Sequence, residues 1–252
     1  MKTKIKYASQ VKKIFQIPKL LFVMFKPKSW GPLLHAFQRT HFDHDFSVSW
    51  SQCGEDLSLV ALLQATRKSG FYIDVGAHHP DRFSVTRALY DNGWTGINID
   101  ADAEVERDFL RKRPLDKFLS GAVGTKEFYD FYRSKEKAVS TANLDWKNRY
   151  ANAGFIFETK VRVKGVKLRE LLESLPNRID LLNVDIEGQD LDALLSLELD
   201  SLNRDLWPEW IMVESAPPMS EAIKNESVAY LLDKDYEIWG LLPMVAILRR
   251  TT

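Results

Sequence analysis

The spacing of apolar and polar positions changes at about Val48. Beyond it, short apolar runs alternate with stretches of helical spacing. Phe71-Tyr72-Ile73-Asp74-Val75, Gly96-Ile97-Asn98-Ile99-Asp100, Lys117 to Val123, Ile179 to Asp185 and Trp210 to Val213 read as strands. Glu55 to Lys68, the segment through Val85, Ala88 and Leu89, Glu104 to Lys112 ahead of Pro114, and the segment through Leu191, Leu194 and Leu195 read as helices. Tyr236 to Leu241 and Val245 to Arg249 flank Pro243 and predict a terminal hairpin. Strands and helices in this order predict an α/β domain with a largely parallel sheet.

One stretch breaks the rhythm. Phe128 to Tyr132 and Thr159 to Val163 look like extra strands, and between them Ser140 to Gly154 is polar with Trp146, Arg149 and Tyr150 interspersed. This predicts an insertion at about 126–163, which is either a lid or substrate-shaping loop, or surface padding.

Composition adds a division of charge. The 252 residues hold 35 basic and 35 acidic side chains, yet up to Phe42 there are nine basic residues and no acidic one, leaving 26 basic against 35 acidic beyond it. The chain therefore reads as a basic N-terminal extension, 1–47, on an acidic body, 48–252. The extension's apolar run, Leu20 to Phe25, is too short for a signal peptide and lacks a cleavage pattern. Nowhere do about 18 apolar residues follow one another, so a cytoplasmic location is expected. The arm suits peripheral contact with an anionic membrane, or packing within or between subunits. Cys53 is the sole cysteine, which excludes an internal disulfide framework or a Cys-rich zinc site; it reads as a small buried residue. His41, Asp43 and His44 read as a polar linker rather than metal ligands, and no metal is assigned.

The candidate chemistry follows the strands, where open sheets place their ligands. Asp74-Val75-Gly76-Ala77-His78-His79-Pro80 ends one strand, and glycine at 76 permits a sharp turn. Asp100 ends the next, where a carboxylate can accept from both hydroxyls of a ribose. The glycine-rich patterns that cradle pyrophosphate or triphosphate are absent. A ribose carboxylate without a phosphate cradle suits S-adenosylmethionine. Asp185 and Glu187 stand two apart at a later strand end and can approach one pocket. Either would serve as a general base, Glu187 being preferred, with His78 or His79 as competitors and Glu214 contributing from the following strand. Gly121-Ala122-Val123 would border an adenine, and Ser140 and Thr141 would touch an acceptor. Gln52, Glu55 and Asp56 either open a helix behind Ser51 or reach the cofactor.

Four segments together resemble the FkbM family of S-adenosylmethionine-dependent methyltransferases: Ser51-Gln52-Cys53-Gly54-Glu55-Asp56; Ile73 to Pro80 with Ser84; Gly93-Trp94-x-Gly96 to Asp100; and Val184-Asp185-Ile186-Glu187-Gly188 with Asp190 and Leu191. The resemblance runs from about Ser51 to the C-terminus. It implies a Rossmann-like class I methyltransferase fold: seven strands, mostly parallel with the last antiparallel, and helices on both faces. It implies S-adenosylmethionine as cofactor and methyl transfer to oxygen, commonly a hydroxyl of a sugar or natural product. It draws Gln52, Glu55, Asp56, Asp74, Gly76, Ala77, Ser84, Asp100, Ala101, Ala122, Val123 and Asp185 toward the cofactor. Where the family often has Glu, this chain has Asp100 and Asp190, a conservative difference. The expected acceptor is a saccharide or lipid-linked saccharide. A nucleic acid is disfavoured by the acidic body. The competing classes are a Rossmann-type oxidoreductase and a non-catalytic methyltransferase-like binding protein.

Overall fold

The computed structural model describes residues 48–64, 67–175, 178–215 and 219–251. The body opens with α1 (Glu55–Gln64), followed by β1 (Phe71–Val75), α2 (Arg87–Asp91) and β2 (Thr95–Asp100). A short 3₁₀ turn leads into α3 (Glu106–Lys112), β3 (Lys117–Ser120) and β4 (Ala122–Val123). The insertion contributes β5 (Phe128–Ser134), α4 (Leu144–Asn152) and β6 (Phe157–Val166). Then come α5 (Leu168–Ser174), β7 (Leu181–Val184), α6 (Asp190–Leu195) and β8 (Trp210–Glu214). The chain closes with α7 (Met219–Ala222), α8 (Glu226–Asp233), β9 (Tyr236–Leu241) and β10 (Val245–Arg250).

Seven strands form one sheet in the order β3-β2-β1-β7-β8-β10-β9. The first five run parallel, and β10 runs antiparallel to both β8 and β9. This is the Rossmann-like methyltransferase sheet, with the terminal hairpin in place. Strand order reverses between β1 and β7, so their carboxyl ends diverge into a crevice.

Neighbouring strand residues feed opposite faces, and both faces are covered. Ile73, Ile97, Leu182, Val184 and Ile211 pack on one side with Leu168 and Leu172 of α5, Leu194 of α6 and Val228 of α8. Tyr72, Leu181, Trp210 and Met212 pack on the other with Leu59 and Leu63 of α1 and Leu89 of α2. That double burial explains why these strands read as continuous apolar runs rather than alternating ones.

Three expectations are corrected. Lys117 to Val123 is not one strand: the chain leaves the main sheet at Gly121, whose N–H still reaches the Asp100 carbonyl at 2.9 Å. Ala122 and Val123 then pair in parallel with β6, in a separate sheet of order β4-β6-β5. The polar stretch after Ser140 contains the helix α4, started by Asn143, whose side chain accepts from the N–H groups of Asp145 and Trp146. Cys53 is exposed rather than buried. The extension 1–47, including Leu20 to Phe25, His41, Asp43 and His44, lies outside the described residues.

Beneath the turn after β1 lies a buried polar network that no motif announces. The Arg113 side chain has no exposed surface. Its Nε donates to the Pro80 carbonyl at 2.9 Å and Nη1 to the Thr86 hydroxyl at 2.8 Å. Thr86 in turn donates to Asp74 at 2.6 Å, and Asn183 donates to the other Asp74 oxygen at 2.8 Å. The Asp116 carboxylate lies 3.8 Å from the same guanidinium and accepts from the Gly96 N–H and the Asn98 amide. A buried cation is tolerated only with such partners, and removing it leaves carboxylates unpaired. Arg113→Met is therefore expected to lower unfolding free energy by about 3–5 kcal/mol in urea titration. A loss under about 1 kcal/mol would show that the network is not structural.

Candidate active site

The carboxyl ends of β1, β2, β7 and β8 open on a cleft of about 1250 Å³, counting the open solvent at its mouth. Gly76 ends β1 at φ +81°, and a Cβ there would stand 1.8 Å from the Asp185 carbonyl oxygen. Glycine is thus required at 76, because the β7 loop lies directly against it.

One wall of the cleft is apolar and carries a single fixed carboxylate. Ile99, Ala101, Val105, Ala122 and Val123 line it around Asp100. Each Asp100 oxygen accepts one backbone N–H, from His78 at 2.8 Å and from Asp102 at 2.7 Å. An ionised carboxylate has about four acceptor positions, so two remain for a ligand. Burial pushes its pKa up to about 6, against the opposing pull of those two N–H groups. Lys137, the cation at the rim, is engaged by Asp102 at 3.2 Å and Glu104 at 3.0 Å. A slot with a carboxylate and no available cation fits a nucleoside bearing positive charge and disfavours a pyrophosphate. S-adenosylmethionine has that chemistry.

The opposite wall is acidic. Asp185, Glu187 and Glu214 line it. Among the described residues neither the Asp185 nor the Glu214 carboxyl has a hydrogen-bond or ion-pair partner. Burial, followed by the charges of Asp190 and Glu187, pushes Glu214 up to about 8. Asp185 opens to water in the cleft, which softens its desolvation. The protein crowding it and the neighbouring Glu214, Asp190 and Glu187 nevertheless hold its pKa well above the ordinary aspartate value. Glu187 is raised by burial, opposed by the hydrogen bond that the Tyr150 hydroxyl donates to its Oε2. Its backbone is left-handed at φ +54°, which turns the chain into Gly188.

The insertion fastens this arrangement at both walls. Thr141 Oγ1 donates to the Glu187 carbonyl at 2.9 Å, and the Asn143 amide donates to the Gly188 carbonyl at 2.8 Å. A Cβ at Gly188, φ +86°, would lie 1.8 Å from Cδ1 and Nε1 of Trp146, so the indole is packed directly against the glycine. At the other wall Arg133 pairs with Asp102 at 2.8 Å and Glu104 at 3.0 Å. The insertion is a wall of the cleft, not padding.

Most of the expected site residues meet in this cleft: Gln52, Glu55, Gly76, His78, Asp100 and Ala101, then Ala122, Val123, Ser140, Thr141, Asp185, Glu187 and Glu214. Five do not line it. Asp74 is 2% exposed, with its two oxygens taken by Thr86 and Asn183. Asp56 is buried and accepts from Ser49, Trp50 N–H and Ser51, which folds that turn onto α1. Ala77 packs with Val105 and Phe109. Ser84 caps the Arg87 N–H at 3.2 Å beside Arg113. His79 Nδ1 accepts from the Asp81 and Arg82 N–H groups, a turn-forming role. Within the cleft, Thr141 gives its one hydroxyl proton to the Glu187 carbonyl, so it holds the loop after β7. His78 Nε2 is buried without a partner, and burial brings the imidazole down to about 4.

Tyr150 and Trp146 hold the loop after β7 and are positions that sequence motifs do not mark. Their separation of four residues on α4 places both on one helix face, and that spacing was the available signal. Among the described residues, no group of three or more His, Cys, Asp or Glu could hold a metal ion.

The model of the methyltransferase FkbM domain matches residues 74–238. No curated protein matches the sequence with significance. Similar solved structures include a putative O-methyltransferase from Klebsiella pneumoniae, at 10% identity over 89% of this chain and 99% of that one, with a TM-score of 0.43. Magnesium protoporphyrin IX methyltransferase from Synechocystis, with bound S-adenosylmethionine, matches at 11% identity over 88% and 97%, TM-score 0.42. Fibrillarin from Aeropyrum pernix, also with bound S-adenosylmethionine, matches at 11% over 76% and 73%, TM-score 0.42. Likeness at this level says nothing about the substrate.

The raised Glu214 carboxyl has a thermodynamic signature. In the fold it stays protonated to about pH 8, whereas an unfolded glutamate ionises near 4.5, so native stability falls as pH rises between these values. Glu214→Gln removes that titration. Its thermal midpoint relative to wild type should climb from about pH 4.5 to about pH 8 and level off above. A difference that does not vary with pH would contradict the assignment.

Proposed function

The chain belongs to the methyltransferase FkbM domain family and is an S-adenosylmethionine-dependent methyltransferase; we propose that it methylates a hydroxyl oxygen of a saccharide, glycan or related natural product, with Glu187 as general base. The observation that carries this reading is the acidic wall. Three carboxyl groups, Asp185, Glu187 and Glu214, share one cleft with the Asp100 wall, and no unpaired Lys or Arg lines it.

When bound, S-adenosylmethionine supplies a methyl group already activated by its sulfonium. Asp100 is placed to hold the ribose hydroxyls, the apolar residues around Ala101 and Ala122 to hold the base, and the carboxyl-rich cleft favours the cationic donor as a whole. An alcohol is a weak nucleophile, so the chain must also align the hydroxyl and accept its proton. At neutral pH Glu214, pushed up to about 8, is largely protonated, and Asp185 is shifted the same way. A neutral carboxyl both donates and accepts hydrogen bonds, which suits Glu214 to orient a polyhydroxylated acceptor. Glu187 differs because the Tyr150 hydroxyl stabilises its ionised form. It is the carboxyl whose ionised form a neighbouring donor supports, and in this reading it takes the hydroxyl proton. His78 is the weaker candidate: its pKa is lowered to about 4 and its Nε2 is buried.

A Rossmann-type oxidoreductase fits less well, since an acidic cleft without a glycine-rich turn opposes a dinucleotide's pyrophosphate. A binding protein without catalysis would have no need of the Tyr150–Glu187 arrangement. Among the described residues no helix is long and apolar enough to cross a membrane. We place the reaction in the cytoplasm. The basic arm, outside the described residues, would attract an anionic membrane face carrying lipid-linked acceptors, or the acidic body of a second subunit.

The test is transfer of labelled methyl from S-adenosylmethionine to a panel of glycans and lipid-linked sugars, with donor affinity measured calorimetrically. Glu187→Gln should lower turnover about 10²–10⁴-fold with donor affinity preserved. Asp100→Ala should instead weaken donor binding by about 1–3 kcal/mol. Near-normal turnover in Glu187→Gln, with an inactive His78→Asn, would move the base to the histidine.

A further inference from the structure

We propose that the outer face of the small sheet is a second binding site, which holds a carboxylate of the acceptor while the hydroxyl to be methylated lies in the cleft. This rests on the saccharide reading above and narrows it to acidic saccharides.

Charge is sorted within the body. Residues 126–166 hold nine basic and five acidic side chains, while the body around them is strongly acidic. On β6, Lys160, Arg162 and Lys164 alternate outward and are exposed. Register sets Tyr132, Asp130 and Phe128 of β5 directly opposite them. Asp130 is the one acid of that pairing, and Lys160 engages it at 2.7 Å. Among the described residues Arg162, Lys164 and Lys126 have no acidic partner.

Arg162 has the geometry of a receptor for a planar anion. Its guanidinium lies 4.3 Å over the Phe128 ring centroid, and Phe128 is 41% exposed. Stacking occupies one face of the guanidinium and leaves its N–H edge free to bind a carboxylate with two hydrogen bonds. The part of Phe128 left exposed beside that stack adds an apolar surface of the kind sugar rings pack on. The modest excess of positive charge suits a monoanion better than a polyphosphate chain.

The face is continuous with the cleft. A shallow groove containing Lys126, Phe128, Tyr132 and Arg162 reaches Ala142 and Gln189, and those two residues also line the cleft. An acceptor of a few sugar units can therefore lie across both. The acidic cleft repels an anion and the groove attracts one, so opposite fields at the two ends fix which end of an acidic saccharide enters.

The test uses the full chain, with trigalacturonate, maltotriose and polyuridylate as probes in calorimetry at low and moderate salt. Trigalacturonate should bind saturably and more weakly as salt rises, and Arg162→Gln should weaken it at least tenfold. Maltotriose should bind no more than a tenth as well. S-adenosylmethionine affinity should be unchanged in the variant, which also shows that it is folded. No trigalacturonate binding, binding indifferent to Arg162→Gln, or tighter binding of polyuridylate would overturn the proposal. The two readings separate cleanly. Methylation of neutral saccharides without dependence on Arg162 defeats this one and leaves the hydroxyl reading standing. Arg162-dependent binding in an enzyme that methylates no hydroxyl does the reverse.

Discussion

The carboxyl edge of the sheet depends on one buried cation. Arg113 reaches up between α2, α3 and the strands, where it ties the Pro80 carbonyl and Ser84 in the turn after β1 to Thr86, and through Thr86 to Asp74. Asp74 in turn is bonded to Asn183 on β7. A guanidinium out of water must satisfy its donors, so the turn has little freedom to adopt another path. Through that turn the His78 N–H meets Asp100, and through Gly76 the β1 end meets the Asp185 backbone. Both walls of the cleft are set from below by the same network.

Above that base the cleft is defined by an imbalance of charge. Asp185, Glu187 and Glu214 crowd one another, and each has its pKa raised. In a stable fold such crowding is a liability, since like charges held close together oppose folding. A cationic ligand relieves it. The insertion distinguishes Glu187 from the other two, because α4 delivers the Tyr150 hydroxyl to its carboxylate and the Trp146 ring to Gly188. Fixing the insertion at Asp102 and Glu104 on the far wall keeps those contacts in register.

Much of this was legible in the sequence, for a physical reason. Strand ends of a parallel sheet show as apolar runs ending in Asp, Glu or Gly, and Gly76, Asp100, Asp185, Glu187 and Glu214 all stand at such ends. What escaped depends on contacts distant in sequence. Asp74 has the pattern of a ligand, but Thr86 and Asn183 enclose it. Arg113, beside Pro114 at a helix end, reads as a surface cation until three elements close over it. The break at Gly121 is set by β6, which competes with β2 for the chain and lies about forty residues away in sequence. Thr141 and Tyr150 acquire their roles only when the insertion folds back on the β7 loop.

The central claim, that donor and base face each other across this cleft, is tested most directly by a crystal structure with S-adenosylhomocysteine. The account predicts ribose hydroxyls on the Asp100 carboxylate, the adenine against Ala101, Ala122 and Val123, and the sulfur directed toward the Asp185–Glu187 wall. A ligand bound elsewhere, or bound with its ribose away from Asp100 and its sulfur away from Glu187, would contradict it.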